Sequence, residues 1–273
     1  MSIEYPIYFI SSNEPNQEKN WQKTKSSYPT AKRICNQGSL LEAHQYIHHT
    51  DKSEKYWTID ADNIIQGYDL SIIAQLVDSD ENTHIWPTIN SINRLYYHHG
   101  GLKLWNRNHM FLKEYSGLSF EYNVSMAQLT LHPDILSVHD ISGSPFQAYS
   151  SAIKETTGLT LELLSSYRKK SNIVYKNLMT WCSVGQDSEN GIYAILGARR
   201  GMLHALTYVD SKKLFHVKNT DYVQECFNED ITYSNKNHQE QASYMASRIM
   251  KYNIVTSMSL FDSEQSQFIK DYF

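Results

Sequence analysis

Asp60 and Asp62 stand one residue apart at the end of the apolar run Tyr56-Trp57-Thr58-Ile59. Side chains at i and i+2 of a strand point the same way, so both carboxylates are expected to converge just past the strand end. Open α/β sheets hold their ligands outside the carboxyl ends of strands. Two anionic oxygen donors placed there suit Mg²⁺ or Mn²⁺, with a substrate phosphate completing the coordination. That is the chemistry of a nucleotide-sugar site, and it points to a metal-dependent glycosyltransferase. An Asp-x-Asp pair is common by chance, and many are solvated turns or helix caps. Here it follows an apolar strand and comes third in a strand–helix series.

Other side chains could complete such a site. Gly100-Gly101 would permit close backbone approach to a sugar. Lys103 could reach a diphosphate, or could be an exposed strand lysine. Arg199-Arg200-Gly201 could hold a phosphate of a donor or of nucleic acid, or could serve helix solubility. The pairs His48-His49 and His98-His99 resemble zinc ligands, but adjacent strand residues face opposite ways and do not easily share a metal.

The elements that must position these groups read as follows. Tyr5–Ile10 is a strand, Asn16–Ser27 a helix with Trp21 inward, and Ala31–Cys35 a second strand. Ser39 caps a helix through Ile47, and Lys55–Ile59 is the strand that delivers the two aspartates. This alternation is the signature of a doubly wound parallel sheet. Leu70–Val77 reads as helix and His84–Trp86 as strand, and Asn90–Arg107 as a substrate loop leading into a strand. Leu136–Ile141 is strand-like, and Ser144-Pro145 opens a helix to about Leu164. Helix is expected over Val174–Cys182, Ile192–Leu206, from Asp221, and over Gln239–Tyr252, with a late strand at Leu214–Val217. The fold class expected is α/β, Rossmann-like, with a mostly parallel sheet and flanking helices in a single domain. Within it, 1–85 would form the nucleotide-binding half, 86–235 the acceptor and metal-completing half, and 236–273 a helical tail.

Bulk properties narrow the function. The 273 residues are 41% hydrophobic, enough for a packed core, and 20 are tyrosines, suited to stacking on rings or sugars. A net charge of −4 gives no support for a general polyanion binder. Three scattered cysteines match no zinc spacing and suggest a reducing compartment. There is no signal-peptide pattern and no long apolar run, so a cytoplasmic enzyme of bacterial or viral origin, with no membrane partner and no obligate protein partner, is expected.

Taken together, several segments resemble glycosyltransferases of the GT-A fold from bacteria and tailed phages. These are Ser11-Ser12-Asn13-Glu14, Tyr28-Pro29-Thr30-Ala31-Lys32-Arg33-Ile34, Ala43-His44 and Trp57-Thr58-Ile59-Asp60-Ala61-Asp62-Asn63. Ile92-Asn93-Arg94-Leu95-Tyr96-Tyr97, Gly100-Gly101-Leu102-Lys103-Leu104, Ser144-Pro145-Phe146-Gln147-Ala148 and Gly197-Ala198-Arg199-Arg200-Gly201 follow in the same order. Within that group the chain is similar to the phage enzymes that glycosylate hydroxymethylated cytosine in DNA, including those that transfer arabinose. It departs at Tyr97-His98-His99, where the group often has Tyr-Gly-x.

The resemblance implies roles by position. Asp62 would bind Mn²⁺ or Mg²⁺ directly, and Asp60 would hold the ribose or a metal-bound water. Ser11, Asn13 and Arg33 would line the pocket of a UDP-type donor, with His44 as a donor contact or a polar core histidine. His139 is the first candidate for a third metal ligand and His216 the second. Glu121 is the candidate general base, ahead of Glu155. Asn93, Tyr96, Tyr97, Trp105, Arg199 and Arg200 would meet the acceptor, which the resemblance makes 5-hydroxymethylcytosine in duplex DNA, the aromatics stacking on a flipped base. The alternatives are a glycan, lipid or protein acceptor, a sugar nucleotidyltransferase, or a non-catalytic domain. A nucleotidyltransferase usually has a Gly-rich loop after its first strand, and Ser11–Asn16 contains no glycine.

Overall fold

The computed structural model describes residues 4–35, 38–98, 101–110, 128–165, 171–233, 237–255 and 257–272. The chain forms two compact units. One comprises Met1–Asn90 and Tyr96–Asp140, the other Ser91–Leu95 and Ile141–Phe273.

The first unit is built on β1 (Ile7–Ser11), α1 (Gln17–Ser27), β2 (Lys32–Cys35), α2 (Leu40–Thr50), β3 (Lys55–Asp60) and β4 (Asn63–Ile65). It continues with α3 (Leu70–Leu76), β5 (Thr83–Ile85), β6 (Thr88–Asn90), β7 (Tyr96–Tyr97), β8 (Lys103–Asn106), β9 (Leu129–Leu131) and β10 (Ser137–His139). A six-stranded sheet runs in the order β2-β1-β3-β8-β5-β9. β8 lies antiparallel between β3 and β5, and the other pairings are parallel. The expected α/β architecture, a mostly parallel sheet with flanking helices, is therefore present.

The strands read as aromatic and β-branched because both faces are covered. Ile7, Phe9, Trp57, Ile59 and Leu104 pack on one face with Leu70 and Ala74 of α3 and with Trp21 of α1. Tyr8, Ile10, Tyr56 and Trp105 pack on the other face with Ala43 and Ile47 of α2. Lys55 of β3 is also buried, and its Nζ donates to the carbonyls of Val77, Asp78 and Asp80 at 3.3, 2.8 and 2.7 Å. It thus satisfies the acceptors left where α3 ends. A second sheet, β4-β10-β6-β7, carries much of the site described below.

His84 on β5 is buried, with Nδ1 3.0 Å from His132 Nε2 and Nε2 3.8 Å from Asp80 Oδ2. Burial, only partly opposed by Asp80, pushes its pKa down to about 4. The unfolded chain takes up this proton near the ordinary value of about 6.5. Protons therefore favour unfolding, and stability falls as pH drops from that value towards 4. Replacing His84 with Asn should remove on the order of 1–3 kcal/mol of this pH dependence, read from urea midpoints at several pH values. An unchanged pH slope would contradict the assignment.

The second unit is helical. It holds α4 (Pro145–Ser165), α5 (Ser171–Ser183), α6 (Gly191–Tyr208), α7 (Thr220–Tyr233), α8 (His238–Met250) and α9 (Ser263–Tyr272). α4 and α6 pack with backbones in near contact. A Cβ at Gly197 would stand 2.3 Å from Tyr149 O, and one at Gly201 would stand 2.4 Å from Ile153 O. Thr156 and Thr157 donate across the same seam to Ala198 O and Gly201 O at 2.9 and 3.2 Å. The strand expected at Leu214–Val217 is instead part of a 3₁₀ helix, Lys212–Lys218, whose start is capped by Ser211 accepting from the Lys213 N–H. Four apolar-rich residues do not separate a strand from a helical turn. No helix among the described residues is long and apolar enough to cross a membrane.

Candidate functional site

β3 ends at Asp60, the chain turns through Ala61 and Asp62, and β4 begins at Asn63. β10 pairs antiparallel with β4 and parallel with β6, which sets His139 opposite both Asn63 and Asn90. Backbone pairing therefore delivers His139 to Asp62 across 77 residues of sequence, and Nε2 lies 2.9 Å from Asp62 Oδ2. The Asp140 N–H donates to Asp62 O at 2.6 Å and locks the two turns together. On the other side of the ring, Nδ1 lies 2.5 Å from Tyr97 Oη, which also accepts from Asn90 Nδ2 at 3.2 Å. A histidine whose second nitrogen is held in this way presents a fixed ring orientation at the first.

The two aspartates take different partners. Lys103, only 2% exposed, reaches from β8 and donates to Asp60 Oδ2 at 3.0 Å, while Asp62 takes His139. Lys103 is therefore not an exposed lysine; it is an ion-pair partner of Asp60. Burial alone would raise the Asp62 pKa, but the contact with His139, a backbone hydrogen bond and the charge of Lys103 together outweigh it and hold the carboxyl below its ordinary range. Glu14, in the loop after β1, responds the other way. Burial raises its pKa, and Asp62 and Asp60 add to the rise against a hydrogen bond from the Ser12 N–H. It is a third acidic group near the pair, and its sequence signal was a lone acidic residue in the β1–α1 loop.

Near that loop, Ser11 is buried at the end of β1 and accepts from Arg33 Nε at 3.3 Å. Arg33 also pairs with Glu18 at 2.5 Å and donates to Gln17 Oε1 at 3.1 Å. Asn13 takes a left-handed backbone, φ 67°, which asparagine tolerates better than most residues. Tyr96 is exposed on β7, next to Tyr97.

Other expectations are overturned. His44 is buried under the sheet, its Nδ1 2.8 Å from Tyr56 Oη and its ring 4.8 Å from Trp105. It is a core histidine rather than a donor contact, and burial holds its pKa far below the usual value. Trp105 is fully buried and donates to Thr58 Oγ1 at 2.7 Å, so it offers no face for a base to stack on. Asn93 is buried and closes a turn by accepting from the Leu95 N–H at 3.1 Å, which removes it from an acceptor surface. Gly101 permits close approach to protein rather than to sugar, since a Cβ there would meet Trp86 O at 2.0 Å. Arg199 is fully buried in α6 and donates to the carbonyls of Cys182, Ala242 and Ser259, so no acceptor phosphate reaches it. Arg200 pairs with Glu229 and with Asp230. His216 lies on the 3₁₀ helix with its ring against Tyr222, and His139 is the histidine at Asp62. Glu121 and Gly100 lie outside the described residues.

No protein-family model matches the chain, and no curated protein does. Among solved structures it is similar to a glycosyltransferase involved in the glycosylation of the major capsid of PBCV-1. That match has 13% identity and a TM-score of 0.34, and covers 49% of this chain and 94% of the other. It is also similar to the mannosyltransferase PcManGT from Pyrobaculum calidifontis in complex with GDP-Man and Mn²⁺. Here identity is 9% and the TM-score 0.39, with 93% of this chain and 88% of the other covered.

Proposed function

We propose that this protein is a divalent-cation-dependent glycosyltransferase that moves a sugar from a nucleotide-sugar donor to a hydroxyl acceptor. The observation that carries the reading is the meeting of Asp62 and His139 just past the end of a parallel strand, beside the Asp60–Lys103 pair.

The donor set fits Mn²⁺ or Mg²⁺. A carboxylate oxygen and an imidazole nitrogen face one another at 2.9 Å, and the far side of the imidazole is oriented by Tyr97. Among the described residues no three His, Cys, Asp or Glu side chains gather where they could hold a metal ion. Two protein ligands leave positions for donor oxygens, as an open site requires. The bound cation would act as a Lewis acid on the leaving diphosphate. Asp62 and His139 would hold it. Asp60, kept in place by Lys103, would orient the ribose or a coordinated water. Ser11, Asn13 and Arg33 would border the nucleoside, and Tyr96 would border the acceptor.

For the acceptor we propose 5-hydroxymethylcytosine in DNA, and arabinose as one sugar transferred. Support for both is the resemblance of the segments quoted above. The test is incubation with a panel of radiolabelled UDP-sugars, UDP-arabinose included, in Mn²⁺ with hydroxymethylated or unmodified DNA. Label on the hydroxymethylated DNA alone is the expected result. Equal labelling of both DNAs, or labelling only of protein or lipid, would overturn the acceptor assignment.

A further inference from the structure

We propose that Asn16 and Asn20 are positioning residues that clamp the two cation-binding turns together from one face of α1. The inference rests on the cation site proposed above. Asn16 Nδ2 donates to Asp140 O at 2.6 Å, the carbonyl directly after His139. Asn20 Nδ2 donates to Ala61 O at 3.0 Å, the carbonyl between Asp60 and Asp62. The two residues are four apart, so they lie one above the other on one helix face. Both are buried, at 6% and 1% exposure. With the Asp140 N–H donating to Asp62 O, these bonds close a loop of contacts: helix to His139 turn, His139 turn to Asp62 turn, and back to the helix.

Each residue forgoes a local interaction to do this. Asn16 is the N-cap of α1, a position where asparagine normally accepts from the helix's free N–H groups, yet its side chain makes no capping bond. Asn20 leaves its Oδ1 buried with no partner among the described residues, while its amide donors face Ala61 O. A buried unsatisfied acceptor is costly and rare enough to need a reason. Turning the amide over would set Oδ1 against Ala61 O, two acceptors in contact, so the carbonyl dictates the orientation. Departures from local preference of this kind concentrate where a chain serves a site.

The clamp predicts an effect on cation affinity beyond any effect on stability. Outer-shell partners of metal ligands typically change affinity by about 10- to 100-fold when removed. Mn²⁺ binding is to be followed by electron paramagnetic resonance with UDP present, for the wild type, Asn16→Ser, Asn20→Ala and Thr24→Ala, with thermal melts of each. Thr24 is buried one turn further along α1 and serves as the control for helix packing alone. Expected is a loss of about tenfold in Mn²⁺ affinity for both asparagine variants and none for Thr24→Ala. In a His139→Gln background the Asn16→Ser loss should shrink, because the two act through one ligand. Unchanged Mn²⁺ affinity in folded asparagine variants, or an equal loss in Thr24→Ala, would overturn the clamp while leaving the cation site standing. A wild-type protein that binds no Mn²⁺ would overturn the cation site itself, and the clamp with it. If one asparagine variant does not fold, the other decides.

Discussion

Asp62→Asn is expected to lower sugar transfer by about 100- to 1000-fold, in line with losing one preorganised electrostatic group at a leaving group. The substitution keeps the side chain's shape and removes its charge. Asp62 stands on a turn whose carbonyls are held by the Asp140 N–H at Asp62 O and by Asn20 Nδ2 at Ala61 O, and neither bond depends on the carboxylate. The turn should therefore keep its fold, with only the His139 contact weakened, while turnover collapses. Asp60→Asn is a less clean probe. It takes the carboxylate from Lys103, whose ammonium is almost completely buried, and breaking such a pair typically costs about 3–5 kcal/mol. Its loss of activity would mix chemistry with unfolding. Steady-state rates at saturating donor and Mn²⁺, set beside melting curves, separate the two. Full activity in Asp62→Asn would contradict the role given to this carboxylate.

Arg199→Met should destabilise the helical unit on the order of 3 kcal/mol or more and leave acceptor affinity in the surviving folded protein unchanged. The guanidinium bridges three carbonyls drawn from the end of α5, from α8 and from the segment at Ser259. Methionine fills similar volume but donates nothing, so three acceptors lose their donor in a buried setting. Urea unfolding would show an earlier midpoint. A variant as stable as wild type but with a raised KM for acceptor would contradict the structural role and restore the acceptor reading.

That pair of arginines shows where sequence reasoning reaches its limit. Arg199 and Arg200 are adjacent, and adjacent helix residues point about 100° apart. One faces the interior of the helical unit and one faces Glu229 and Asp230, so treating them as a doublet at a phosphate could not hold. The strands β1 to β3 were legible from their aromatic and β-branched content and the strand–helix alternation around them, and the long helices because their apolar residues recur with a helical period. The strands β4, β6, β7 and β9 span two or three residues each, too few for a period to register, and they exist because tertiary pairing imposes them.

The site was legible in part for the same reasons. Asp60 and Asp62 stood out because a buried strand stops at them, and His139 because it closes a later strand. Lys103 was marked too, but for a diphosphate; its pairing with Asp60 across 43 residues has no local signal. Asn16, Asn20 and Asn90 were silent too. An asparagine at a helix start or in a strand has many ordinary explanations, and only the carbonyls and the ring they touch give them meaning. His44 and Trp105 misled because residue type suggested a ligand contact, whereas His44 points inward from α2 and meets Trp105 of β8 in the core between them.

The measurement that bears most directly on the account is anomalous scattering from crystals grown with Mn²⁺ and UDP. The account predicts a manganese peak bonded to an Asp62 carboxylate oxygen and to His139 Nε2, with diphosphate oxygens on its open side. A fully occupied nucleotide with no manganese at that pair, or manganese held by other residues, would contradict it.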